Sequence, residues 1–165
     1  MKKCGVRGGI RCFIDPMIRI ALYQPDIAGN TGTILRLAAC MALTVDIVEP
    51  AGFDLSDRAL KRAGMDYLET AALKRHLDWQ SFDDWRRDED RRLVLFTTKA
   101  TLPYTDFAFR ESDVLLFGRE SAGVPDHVHE NADMRVTIPM PGGGRSLNLA
   151  VSVAMATGEA MRQLR

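Results

Sequence analysis

The 165-residue chain has few cysteines, no long apolar run and no net charge. Its three cysteines, Cys4, Cys12 and Cys40, are odd in number and none stands in a C-x-x-C pair. That argues against a disulfide framework or a zinc site of ordinary spacing, and the expected compartment is the reducing cytoplasm. No apolar stretch approaches the ~20 residues that span a bilayer, so no membrane association is expected. The basic N-terminus has apolar segments too short for a signal-peptide core. Lys and Arg total 22, as do Asp and Glu, so bulk charge makes no case for or against a polyanionic partner. Residues 1–16 hold Lys2, Lys3, Arg7 and Arg11 against Asp15 alone, which leaves the body mildly acidic. Any nucleic-acid contact must then come from local basic patches.

What is present is an ordinary globular composition, 46% hydrophobic and 27% charged. Residues 1–16 lack clear periodicity and end at Asp15-Pro16. They read as an extension, or an over-long start, outside the fold, and 17–165 reads as one domain. Strands are expected at 18–23, 44–48, 67–73, 93–97, 114–117 and 134–138. Helices are expected from Asn30 as N-cap, from Ser56 to Arg62, from Asp78 to Arg86, as a turn begun at Pro125, and from Ser146 to Leu164. The run 83–92 holds nine charged residues and one Trp and reads as a solvated helix end and loop. Alternating strands and helices indicate an α/β architecture with a mainly parallel sheet and flanking helices.

The common nucleotide and hydrolase signatures are missing: there is no G-x-G-x-x-G, no G-x-x-x-x-G-K-[ST] and no G-x-S-x-G. His127 and His129 have no third ligand at metal spacing, so no metal is expected. Three polar loops remain at strand ends or helix starts, where open α/β sheets place ligands. Asn30-Thr31-Gly32 with Arg36 is either a capped helix with a surface arginine or an amide and guanidinium able to grip a phosphate or ribose. In the stretch from Leu116 to Gly123, Gly118 is either a plain turn residue or a point of close ligand approach. Glu120 would there be a carboxylate at the end of a buried strand. Pro139 to Asn148 is either a flexible glycine loop capped by Ser146, or a donor-rich site of Arg145, Ser146 and Asn148 at a helix N-terminus.

In this order the three stretches resemble the motifs of the SpoU branch of the SPOUT RNA 2'-O-methyltransferases. They are Asn30-x-Gly32-x-x-x-Arg36, then Leu115-x-Phe117-Gly118-x-Glu120-x-x-Gly123, then Ile138-Pro139-Met140 followed by Arg145 to Ala150. Further likeness at Leu22-Tyr23-x-Pro25, Val48 to Phe53, Lys61 to Tyr67 and Thr97-Thr98-Lys99 points to the group that methylates the wobble ribose, C34 or U34, of leucine tRNAs.

The resemblance implies a C-terminal trefoil knot, a homodimer with a shared active site, and S-adenosylmethionine as methyl donor. It implies Arg36 as proton acceptor or hydroxyl-activating group, with a phosphate clamp as the milder role because a guanidinium is a poor base. It assigns Asn30 to orienting, and Glu120, Ser146 and Asn148 to the catalytic side. Phe96, Gly118, Ile138, Met140, Ser146 and Leu147 are the expected cofactor residues. RNA would meet Arg58, Lys61 and Arg62, three to four apart on one helix face, with Lys74, Arg75 and His76 as a second cluster. A solvated face is the other reading of each. The last helix, apolar nearly all round, fits either core burial or a partner. Methylation of another RNA such as ribosomal RNA, and a noncatalytic RNA-binding module, remain the alternatives.

Overall fold

The computed structural model describes residues 18–56 and 72–165. Within them six strands form one fully parallel sheet in the order β3-β2-β1-β5-β4-β6. The strands are β1 Arg19–Tyr23, β2 Thr44–Val48, β3 Ala72–His76, β4 Arg92–Phe96, β5 Asp113–Phe117 and β6 Met134–Val136. The helices are α1 Ala28–Met41, α2 Trp79–Asp88, α3 Asp126–Asn131 and α4 Leu149–Gln163. The chain winds outward from β1 through β2 to β3, then continues on the other side with β4, β5 and β6. The order reverses between β1 and β5, so the loops leaving these two strands diverge and open a crevice at their carboxyl ends.

Alternation along the strands divides the core. Ile20, Leu22, Val45, Ile47, Leu115 and Phe117 face α1 and α4, where Ile34, Leu35, Ala38, Val153 and Ala156 meet them. Ala21, Tyr23, Val48, Leu93, Leu95 and Leu116 face Phe82 of α2 and Val128 of α3. Burial on both faces is why the central strands read as unbroken apolar runs.

Several expectations need correction. α1 begins at Ala28 behind Ile27, which makes no side-chain cap, so Asn30 lies in the first turn and its amide is left for other work. α4 is capped by Asn148, whose side chain accepts from the N–H groups of Ala150 and Val151. Ser146 therefore stands ahead of the helix. β3 runs on to His76, which makes Lys74, Arg75 and His76 strand residues. Most of the expected strand 67–73, the expected helix from Ser56, and Arg58, Lys61 and Arg62 lie outside the described residues, as does the 1–16 extension.

The charged run 83–92 is not wholly solvated. Asp83 and Arg86 are buried. Arg86 donates to Asp83 at 2.6 Å, to Asp133 at 2.9 Å and to the carbonyl of Asn131, which pins α2 to the α3–β6 turn.

His76 is likewise inside. Its Nε2 stands 2.8 Å from Asp46 Oδ1, and Arg19 donates to both oxygens of Asp46 at 2.7 and 3.1 Å. Trp85 closes this group, with the Arg19 guanidinium 4.8 Å and the Lys74 ammonium 3.9 Å from its ring centroid. Arg75 pairs with Glu49. Removing one partner of a buried pair leaves an uncompensated charge, at a cost of about 3–5 kcal/mol. Asp46→Ala is therefore expected to lose about 3–5 kcal/mol of stability in urea unfolding; a loss below about 1 kcal/mol, the range of exposed pairs, would show that this group is not a structural tie.

Candidate active site

At the carboxyl edge of the sheet lies a cavity of about 420 Å³, within the size range of small-molecule and cofactor sites. β4 contributes Leu95 and Phe96 to its wall, and the loop after it Thr97 and Thr98. The loop after β5 contributes Gly118, Arg119, Glu120 and Gly123, and the segment after β6 contributes Thr137, Ile138 and Met140. Asn30 of α1 and Ser146, Leu147 and Asn148 ahead of α4 close it. All six residues expected to hold a cofactor line this one cavity, and so do Asn30, Glu120, Ser146 and Asn148. Arg36 does not: it is exposed on α1, away from the cavity wall.

Two glycines shape the β5 loop. Arg119 and Gly123 exchange backbone hydrogen bonds of 2.9 Å in both directions, which folds 119–123 into a closed turn. Gly123 takes φ +66°, and a Cβ on Gly118 would come within 2.5 Å of the Gly123 carbonyl carbon. Glycine at 123 relieves the left-handed backbone, and glycine at 118 lets the two ends of the turn touch.

The turn presents Glu120 to the β1 loop. Its Oε2 accepts from the backbone N–H of Asp26 at 2.8 Å and its Oε1 from the Asn30 amide at 3.1 Å. Asn30 Oδ1 accepts in turn from the Asn148 amide at 3.0 Å. Carboxylate and amides so form a continuous polar strip across three segments. Beside it, Phe96 stacks on Phe117 at 4.8 Å between centroids, and Ile138, Met140 and Leu147 supply apolar surface. The lining is thus polar and apolar in about equal measure, suited to a small ligand with both kinds of surface.

Sequence reasoning missed Asp26, Arg119 and Ser121. Arg119 donates to Asp26 Oδ1 from Nε at 3.2 Å and from Nη2 at 2.9 Å, and the Ser121 hydroxyl and N–H donate to Oδ2. Asp26 follows Pro25 at a strand's carboxyl end, and Arg119 and Ser121 flank the motif glutamate. Those positions were the available signals.

The comparisons with known proteins bear on the family. Residues 17–158 match the SpoU rRNA Methylase family, and the chain belongs to that family. A tRNA (cytidine(34)-2'-O)-methyltransferase of Beijerinckia indica subsp. indica is 58% identical over 145 residues, 88% of this chain and 91% of that protein. A solved structure presented as structural insights into the 2-OH methylation of C/U34 on tRNA has a TM-score of 0.84 at 40% identity, covering 91% of this chain and 97% of that one. The SpoU methyltransferase AviRb from Streptomyces viridochromogenes, in complex with the cofactor AdoMet, has a TM-score of 0.78 at 28% identity, covering 91% of this chain and 58% of that one.

The Asp26 carboxyl, ordinarily near 3.8, is held down to about 2, first by the Ser121 hydroxyl and then by the Arg119 guanidinium. A value lowered by folding means stability that is present above the ordinary value and lost as pH falls through about 2. Carbon-13 NMR titration of the Asp26 carboxyl is expected to give a midpoint of about 2, moving upward in Ser121→Ala. An ordinary midpoint in the wild-type chain would refute the clamp.

Proposed function

We propose that this chain transfers a methyl group from S-adenosylmethionine to the ribose 2'-hydroxyl of the wobble nucleotide, C34 or U34, of tRNA, with leucine tRNAs as substrates in the cytoplasm. The observation that carries the reading is the convergence of Asn30, Glu120 and Asn148, hydrogen-bonded in series, onto the cavity lined by Phe96, Gly118, Ile138, Met140, Ser146 and Leu147. The naming of a 58% identical relative for C34 favours tRNA over the ribosomal RNA of the family's description.

The cavity suits the donor. It is large enough for a nucleoside, lined by apolar and polar side chains in about equal measure and edged by the backbone of strand ends. When bound, the donor supplies an electrophilic methyl carbon on a sulfonium. The chain's own part is alignment. Phe96, Ile138, Met140 and Leu147 would hold the adenosine, the Gly118 turn would bring backbone close, and the Glu120–Asn30–Asn148 strip would orient the ribose hydroxyl toward the methyl carbon.

As the new C–O bond forms and the donor's C–S bond breaks, the hydroxyl proton would pass to solvent water at the open edge of the cavity, and a permanent cation is needed beside the oxygen that develops charge. We assign it to Arg36 of a second copy, acting as a clamp on the flanking phosphate and a stabiliser of the alkoxide. The outer face of α4 supports this arrangement. Val151 and Met155 are 48% and 38% exposed, four apart on one stripe, and Leu147 at the cavity mouth continues it at 39%. A second copy seated there would lie across the mouth.

Arg58, Lys61 and Arg62 remain the proposed RNA contacts, and 1–16 lies outside the catalytic domain. The knot is part of the same proposal. Support comes from the hydrogen bonds that join Leu102 and Tyr104 to Thr137, and Phe107 and Phe109 to Gln163, so that the β4–β5 connection embraces the chain after β6.

Purified protein given the donor and a leucine tRNA is expected to yield 2'-O-methylated nucleoside at position 34 by mass spectrometry. A methyl group at any other position, or none, would overturn the reading. Arg36→Ala is expected to lower turnover by about 10²–10³-fold, the scale of a lost oxyanion donor, with donor affinity retained. Mixing it with Glu120→Gln is expected to restore activity through hybrid dimers, whereas no restoration would place both residues in one subunit's site. Charging the α4 stripe by Val151→Asp with Met155→Asp is expected to give an inactive monomer in sedimentation. A fully active monomer would remove the second copy from the mechanism.

A further inference from the structure

Residue 26 grips three successive residues of the β5 turn. Its carboxylate accepts from Arg119 through one oxygen and from Ser121 through the other, while its N–H donates to the side chain of Glu120 between them. The contacts join positions 93 to 95 apart in the chain. Gln24 adds a weaker contact to the same arginine at 3.4 Å.

Behind the grip the backbone is fixed as well. Gly52 donates to the Pro25 carbonyl at 2.8 Å, and a Cβ at 52 would stand 3.1 Å from Asp26 Cα and 3.2 Å from its carbonyl oxygen. The β1 loop is thus wedged between Gly52 and the Glu120 turn, and the direction of the Glu120 carboxylate follows from where Asp26 sits.

We propose that Asp26 is a positioning residue for methyl transfer: by holding Arg119 and Ser121 it fixes the turn that aims Glu120 at Asn30, and so sets the polar strip that meets the ribose. The inference rests on the reading of Glu120 as part of the catalytic strip. Asp26 acts through Glu120 and needs no contact with donor or RNA. A misplacement of the order of 1 Å costs up to about 10²-fold in rate, so its loss should fall on kcat rather than on either binding step. Arg119, with its guanidinium engaged by Asp26, belongs to the same device.

The test measures kcat, KM for tRNA, donor affinity and active-site titre for Asp26→Ala, Asp26→Asn, Gly52→Ala, Glu120→Gln and the double variant Asp26→Ala/Glu120→Gln. Asp26→Ala is expected to lower kcat by about 10–10²-fold with KM, donor affinity and titre unchanged. Asp26→Asn, which keeps an acceptor oxygen, should recover part of the rate. Gly52→Ala, whose methyl would crowd Asp26 at its Cα, its carbonyl oxygen and its Oδ1, should lower kcat in the same manner.

The double variant should be no slower than Glu120→Gln alone, because positioning has no value once its object is gone. If Glu120→Gln is slow while folded Asp26→Ala and Asp26→Asn run at the wild-type rate, the positioning role is wrong and the role of Glu120 stands. If Glu120→Gln is itself normal, the reading beneath the inference fails. If Asp26→Ala loses active-site titre in place of kcat, or its effect multiplies with that of Glu120→Gln, Asp26 is merely structural. Should Asp26→Ala not fold, Asp26→Asn and Gly52→Ala decide the same question.

Discussion

The site depends on one chain of hydrogen bonds: Asp26 to Glu120, Glu120 to Asn30, Asn30 to Asn148. Its links span 94, 90 and 118 positions of sequence. None of the four groups can find its partner until β1 and β5 lie side by side and α4 has returned over α1. Parallel pairing makes this possible, because it delivers every strand's carboxyl end to the same edge. Reversal of strand order between β1 and β5 then leaves a gap there for the polar side chains.

A parallel sheet of apolar strands has a weakness in its register. Ile20, Val45 and Leu115 are nearly interchangeable partners, so hydrophobic burial alone distinguishes poorly between neighbouring alignments. The buried ion pairs remove that ambiguity. Asp46 of β2 binds Arg19 of β1 and His76 of β3, and Asp113 of β5 takes both Nε and Nη2 of Arg92 of β4. A slip of one residue would turn Asp46 to the opposite face and leave Arg19 and His76 buried without it. Such groups add little net stability over an apolar replacement, but they make the wrong register costly. Since the site is assembled from strand ends, a register error in β1 or β5 would displace Asn30 or Glu120 by a residue's length.

The parts that the sequence revealed share one property: the physics that forms them is local. Apolar runs at 44–48, 93–97 and 114–117 announced buried strands within a residue of where they lie. The parts it hid depend on distant partners. β3 is an edge strand reading ALKRH, and its polar letters gave no hint that His76 points to a carboxylate on the neighbouring strand. The charges of 83–92 looked solvated because the partner that buries Arg86 includes Asp133, 47 residues on. Ser146 and Asn148 are both good cap residues, and only the path of the preceding loop decides between them. Asn30 was misread as a cap for the same reason: a side chain suited to capping is equally suited to bridging Glu120 and Asn148. The cavity-lining motifs are legible through the family's pattern. Asp26 and Arg119 were not, since an ion pair between loops 93 positions apart leaves no one-dimensional trace.

A subunit of this size can enclose a cavity, but it has little surface left with which to cover one. The described residues use α1 and α4 to shield one face of the sheet and α2 and α3 for the other, so the carboxyl edge is bordered mainly by loops and by the first turns of α1 and α4. That leaves the polar strip oriented but open, with Leu147, Val151 and Met155 exposed beside it. Arg36 projects from the exposed side of α1, whose opposite side packs in the core through Ile34, Leu35 and Ala38. Of the two α1 residues Asn30 and Arg36, Asn30 lines the cavity and Arg36 does not. In the proposed dimer each copy would supply the orienting amide to its own cavity and the cation to the other. That proposed contact would also remove the exposed stripe of Leu147, Val151 and Met155 from water, so the association would carry its own hydrophobic driving force.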